Sequence, residues 1–372
     1  MNSCMKRNMT MSEYSSRLSR RQLVTGLAAA AGLGATAGLL PTREARAEGL
    51  QQLVARPPAG FVPMAAPGRV TKVTAKGDLK DTMQPNQLWP KLDVARRLLD
   101  RALIEFTGAK DAVAAMKRFI CPQDIVAIKI NGIGAPSGST FGTNYELVLA
   151  VVENVLKVGV PPDKITVFEQ YTGYLTGCRI NVGKWKLPAG VRAETHNNGK
   201  MGTPGLLIYQ GIKTRFCTML VEATAVINMP LIKDHGICGY TGTLKNITHG
   251  CTENPSSFHA HQASPQIALL YNHPVVRSRV RLHVTDGFKL MYDGGPLDRN
   301  KRAQILHGSV YVATDPVALD AIGAKLVEDH RKAKRMPSLK AGGREPRYIK
   351  TAGELGLGVY DLGAIKLRAT MV

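Results

Sequence analysis

The sequence is poor in several features that would classify it directly. Aromatic residues make up only 6% of the 372 positions, and no basic run is interleaved with them. Stacking platforms for nucleic acid need that interleaving. The net charge of +21 therefore points away from nucleic acid, toward anionic lipid, a small acidic ligand or simply a basic solvated surface. Cysteine is scarce, six residues with no C-x-x-C among them, which excludes a zinc ribbon or a ferredoxin-like cluster. No Walker loop and no internal repeat occur. Past residue 47, no apolar run approaches the ~20 residues needed to span a bilayer.

What is present begins at the N-terminus. "SRRQLV" (Ser19 to Val24) sets Arg20 and Arg21 ahead of "TGLAAAAGLGATAGLL", and "ARA" at Ala45 to Ala47 is a small-x-small cleavage site. Residues 1–47 thus resemble a twin-arginine export signal, too Gly-rich for a good membrane anchor. A cleaved signal and a periplasmic location are expected, with no stable membrane span afterwards. That route carries folded proteins, which suits a cofactor inserted before export. Beyond residue 47 the charge is +16 and five cysteines remain, Cys121, Cys178, Cys217, Cys238 and Cys251. An odd count in an oxidising compartment allows one or two disulfides without revealing their pairing.

Residues 48–68, with four prolines, read as an extended linker or arm. From Arg69 to the end, strands and helices alternate. "RVTKVTAK", "IVAIKI", "KITVFEQ", "TAVINMP", "RVRLHVTDG" and "SVYVATD" read as strands; "KLDVARRLLDRALIEFTG", "YELVLAVVENVLKVG" and "DPVALDAIGAKLVEDH" read as helices. Asp315 is placed to cap the last of these, with Pro316 at its first position. "TNYE" (143–146) fits a capping box in which Thr143 and Glu146 close the helix start. Residues 171–216, rich in turn formers, read as an excursion or small lobe. The fold class is α/β: a mostly parallel, Rossmann-like sheet flanked by helices.

Ligands in such sheets bind beyond the carboxyl ends of the strands, and there the polar and glycine-rich residues gather. "NGIGAPSGSTFG" (131–142) misses the dinucleotide fingerprint by one residue. It is either a plain connection or an anion site at a helix N-terminus, flanked by Lys129 and Asn131. "KDHGICGYTGTLKN" (233–246) puts Lys233, His235, Lys245 and Asn246 among Gly236, Gly239 and Gly242, which would let backbone approach a ligand. A lysine among other cations is pushed toward the neutral amine that a nucleophile requires. Five of the nine histidines lie between 235 and 273. In an extended segment His259 and His261 would point the same way, as paired metal ligands do. Asp286 in "VTDG" and Asp293 in "YDGGP" are acid/base or ligand candidates, although a turn aspartate beside Gly287 explains Asp286 equally. Asp320 reads as a solvent-facing helix residue.

Two resemblances emerge from these residues. "VAIKING", "VINMPLIKDHGICGYTGTLKNITHG", "VTDGFKLMYDGGP" and "ATDPVALDAIGAKLV", in that order over roughly 120–330, resemble the domain-of-unknown-function 362 family. The resemblance implies an α/β domain, in some members fused to iron–sulphur modules, and no established reaction. Locally, "DHGICGYTGTLKNITHG" is similar to the signature of nickel-pincer lactate racemases, with Thr241 in place of serine. That likeness implies Lys245 as the tether of a pyridinium cofactor, His261 as a nickel ligand and His235 as acid/base. Lys129, Asn131, Gly239, Thr241, Gly242 and Asn246 would help hold a cofactor, and nickel or iron is the metal to expect.

Two function classes follow. One is an exported enzyme, isomerase or oxidoreductase, acting on a small anionic substrate through His235, Lys245, Lys233 and Asp286. The other is a non-catalytic metal-binding or electron-transfer accessory to a periplasmic redox partner.

Overall fold

A computed structural model describes residues 53–135 and 141–372; the expected export signal lies outside them. Ten strands form one mixed sheet in the order β12-β1-β11-β10-β7-β2-β3-β4, with β8 (Leu231–His235) attached to β10 and β9 (Gly239–Thr241) to β8. The central strands β10 (Val280–Met291), β7 (Ala225–Asn228), β2 (Val126–Lys129), β3 (Ile165–Glu169) and β4 (Arg192–Thr195) run parallel. β11 (Gln304–Ala313) is antiparallel to both β10 and β1 (Arg69–Thr74), and β12 (Lys366–Met371) closes that edge parallel to β1. The α/β architecture, mostly parallel and flanked by helices, is the one the alternating pattern predicts.

Sequence chemistry sets the main helices. α1 (Leu92–Thr107) buries Leu98, Leu99, Ala102, Leu103 and Phe106, and stops at Gly108, whose φ of 72° is left-handed. α2 (Tyr145–Val158) lies against α1 and carries a nearly continuous apolar surface. Its start is not the expected capping box. Thr143 donates its hydroxyl to the Met229 carbonyl (3.0 Å), and Glu146 is taken by Arg179 through two bonds of 2.6 and 2.7 Å. α3 (Thr243–His249) is buried at every residue. α4 (Pro316–Ala333) begins as predicted, Asp315 accepting from the amides of Val317 and Ala318 at 2.9 Å each. α5 (Tyr348–Glu354) packs on α4.

Two expectations change. The arm is bound rather than free: Met64 donates to the Arg118 carbonyl (2.8 Å) and Gly68 to Asp315 (2.8 Å). The excursion is only partly a lobe, because it supplies β4 to the main sheet; β5 (Leu206–Tyr209) and β6 (Ile212–Thr214) make a separate hairpin. The C-terminal strand β12, beyond the last strand read from the sequence, pairs parallel with the edge strand β1. Among the described residues no helix is long and apolar enough to cross a membrane. The five cysteines described are buried and unbridged, and the Cys217 amide donates to the Cys251 carbonyl at 2.9 Å.

Candidate functional site

The segment that read as one strand and a loop is more ordered than that. After β7, Met229 and Pro230 break the strand, and β8 (Leu231–His235) resumes alongside β10. β8 turns into β9 (Gly239–Thr241), and α3 follows directly. In this hairpin Lys233 is opposite Thr241 and His235 opposite Gly239. Alternation along a strand then puts Lys233, His235 and Thr241 on one face.

Two of the three glycines answer to the protein's own packing. Gly239 has φ +77°, and a Cβ there would sit 1.9 Å from the Arg344 carbonyl oxygen. A Cβ on Gly242 would fall 2.3 Å from both Asp320 Oδ1 and the Tyr240 ring. Asp320, expected at the surface, is fully buried beneath the hairpin–helix junction. It accepts the amides of Thr243 (2.5 Å) and Leu244 (3.1 Å), so it caps α3 from a distant helix. Burial pushes its carboxyl up to about 7, partly opposed by those amide donors.

Beneath α3 runs a polar row. Lys129, Asn228 and His283 are cross-strand neighbours on β2, β7 and β10. Asn246 reaches down from α3, donating to Asn228 (2.7 Å) and accepting from Asn131 (3.0 Å). Asn131 in turn accepts from Lys233 Nζ at 2.7 Å. Lys129 is ion-paired with Glu169 at 3.0 Å. These residues lock the helix and hairpin in register. Burial and the nearby Lys245 charge lower Lys233 to about 7.

Lys245 differs from its neighbours. It is buried, its ammonium is disfavoured by desolvation, and its side chain has no hydrogen-bond or ion-pair partner among the described residues. Around it stand three imidazoles. His259 lies 5.5 Å from His235, nearly stacked, and 4.8 Å from His249, edge-on, between ring centroids. Desolvation first, then the Lys245 charge, depresses all three; His259 falls to about 4. Thr241 adds a buried hydroxyl with no partner among the described residues.

The predicted site residues therefore divide. Lys233, His235, Thr241, Lys245 and His259 come together, and His249, noticed only as a sequence neighbour, joins them. His261 does not. The segment expected to be extended is a tight turn in which His261, Gln262 and Ala263 have φ of 52°, 61° and 57°, so His259 enters the cluster while His261 is left exposed. Asp286 is not free for chemistry. It lies inside β10 rather than at its end and accepts both the backbone and side-chain N–H of Asn144 (2.7 and 2.9 Å) and the amide of Phe288 (3.2 Å). The anion at the start of α2 is thus the protein's own carboxylate. Asp293 is held by Arg331 (3.0 Å) and Arg344 (3.5 Å).

The donor set does not fit a metal held by His259 and His261. His235 Nδ1 accepts two backbone amides, Ile237 (3.0 Å) and Cys238 (3.3 Å), so its Nε2 carries the hydrogen. His249 Nε2 faces the Phe258 carbonyl (3.3 Å), to which it can only donate. Among the described residues no group of three or more His, Cys, Asp or Glu side chains could hold a metal ion. Lys245, by contrast, fits a covalent attachment. A separate cavity of about 250 Å³ lined by Val126, Thr166, Arg192, Glu194 and Thr218 lies at the opposite, amino ends of β2, β3 and β4.

No curated protein shows a significant match to the chain. A family model described as a domain of unknown function (DUF362) matches residues 126–325, which take in the hairpin, α3, the imidazoles and most of α4. The chain belongs to the DUF362 family.

Proposed function

We propose that this protein is an exported enzyme acting on a small anionic molecule, with the Lys245 amine as the point of covalent attachment. One observation carries the reading: a wholly buried helix holds a lysine that has no partner among the described residues and is driven toward its neutral form. An unpaired buried ammonium is costly by several kcal/mol or more, whereas a buried neutral amine is the nucleophile that attacks a carbonyl. Lys233, the Nε2–H of His235 and the Thr241 hydroxyl supply donors for an anionic group beside it. Either a substrate carbonyl or a tethered cofactor fits the amine, in an isomerase or an oxidoreductase.

Intact-mass measurement of protein from its native host, with and without borohydride, tests this. The expected result is a mass increment on Lys245 that is absent from Lys245→Ala. A Lys245 that is unmodified as isolated, and that borohydride fails to trap when carbonyl acids are added, overturns the reading. Export is checked separately: Arg20→Lys with Arg21→Lys should leave the precursor uncleaved in the cytoplasm, and normal secretion of that variant would exclude the twin-arginine route.

A further inference from the structure

We infer that the site performs one-base proton abstraction on a 2-oxo acid held as an imine on Lys245, with His259 as the base and His235 as a fixed hydrogen-bond donor. This rests on the reading of Lys245 as the attachment point. The asymmetry comes from backbone geometry. An amide N–H can only donate and a carbonyl can only accept, so the partners of each ring decide its tautomer. Two amides point at His235 Nδ1, at 3.0 and 3.3 Å, which leaves the hydrogen on Nε2. In His259 the order is reversed: Nδ1 lies 3.0 Å from the Pro255 carbonyl and must donate to it. Its Nε2 therefore presents a bare lone pair, with no hydrogen-bond partner among the described residues. The nearly stacked rings, centroids 5.5 Å apart, are thus opposite in kind, one a donor and one an acceptor.

His235 cannot exchange roles. A second proton would have to go onto Nδ1, where two amide hydrogens already point. The backbone that presents His259 is itself strained, with three successive non-glycine residues left-handed just beyond it. Each costs about 1–2 kcal/mol, and such strain persists where the surroundings over-determine it. Here Gln262 anchors the turn, donating to the Gly343 carbonyl at 2.5 Å and accepting from Arg347.

The chemistry balances within the site. The neutral Lys245 amine adds to the keto carbon; a proton taken up from solvent lets the hydroxyl leave as water, giving the protonated imine. His259 Nε2 takes a proton from C3; that C–H pair becomes the C2=C3 bond, and the C=N pair moves to nitrogen. The His259 imidazolium then exchanges with solvent and returns a proton to C3. His235 Nε2–H and the Thr241 hydroxyl bind the carboxylate.

Pyruvate in D2O is the probe, used with the full-length exported protein. Loss of the methyl proton signal by NMR reports proton abstraction, and borohydride trapping on Lys245 reports the imine. Wild type should show both. His259→Gln and His259→Asn should slow exchange by roughly 100-fold or more while still forming the adduct, which also certifies the folded site. His235→Gln, which keeps an N–H donor, should retain exchange within about 10-fold of wild type, the step lost with a weakened hydrogen bond. Adduct without exchange in wild type overturns the proton-transfer step and leaves the attachment standing. Absence of any adduct overturns the attachment and the proposal with it. Exchange that survives in the His259 variants but vanishes in His235→Gln reverses the roles and also sinks the proposal.

Discussion

At the scale of single residues, the side chains that matter most for geometry were the hardest to recognise. Gly239 is required because its backbone is left-handed and abuts the Arg344 carbonyl. Gly239→Ala should destabilise the protein by at least ~3 kcal/mol, since strain and overpacking act together; an unchanged urea midpoint would show that the hairpin tolerates a side chain there. Asp320 is visible in sequence only as one polar position in the apolar first half of its helix, yet it caps α3. Asp320→Ala strands two buried amide donors and should cost about 2–4 kcal/mol. Asp320→Asn, which keeps one of the two acceptor oxygens and removes a buried charge, should cost less. Equal losses in the two variants would argue that Asp320 acts by bulk alone. The reading of Asp286 failed for the converse reason: its strand continues past the "DG" that looked like a turn, because Gly287 sits at an irregularity in the pairing rather than at an end.

At the scale of elements, the hairpin β8–β9 and the helix α3 carry the candidate site. Arg344 pins the hairpin, reaching Asp234 at 2.7 Å and the His235 carbonyl at 3.1 Å. The Asp234 side chain is 1% exposed and that of Arg344 15%. Breaking a pair of this kind leaves a nearly uncompensated buried charge. Allowing for the partial exposure of the arginine, Arg344→Gln should lose about 2–3 kcal/mol. Amide exchange of residues 231–241 should accelerate ahead of the central strands; uniform acceleration across the sheet would mean that the pin has no local role. The turn after His259 belongs to this scale too. Alternation in an assumed extended segment paired His259 with His261, and the left-handed backbone separates them.

At the scale of the whole molecule, burial of neutral imidazoles sets an acid limit. Desolvation lowers His283 and His307 to about 3 from an ordinary 6.5, and His283 Nε2 has no partner among the described residues. Below pH ~6.5 the unfolded chain takes up protons that the folded one refuses, so stability is complete above that pH and is lost as pH falls toward the folded values. Near pH 5 each of these histidines should remove roughly 2 kcal/mol. In His283→Gln the drop in urea stability between pH 7 and pH 5 should shrink by about that amount. An undiminished drop would assign the acid limit to other groups.

Read alone, the amino-acid order determined the alternation of strands and helices, the Asp315 cap and the family, and it singled out the stretch 233–246 as the candidate site. Each of these is local, written in periodicity, capping residues and a run of contiguous motif. The tertiary structure decided which side chains meet. Asp320 reaches α3 and Arg344 the hairpin from 70 or more positions away along the chain, and no local pattern encodes such a contact. The two histidine tautomers depend on which backbone groups face each ring, an outcome of packing that composition and spacing leave open.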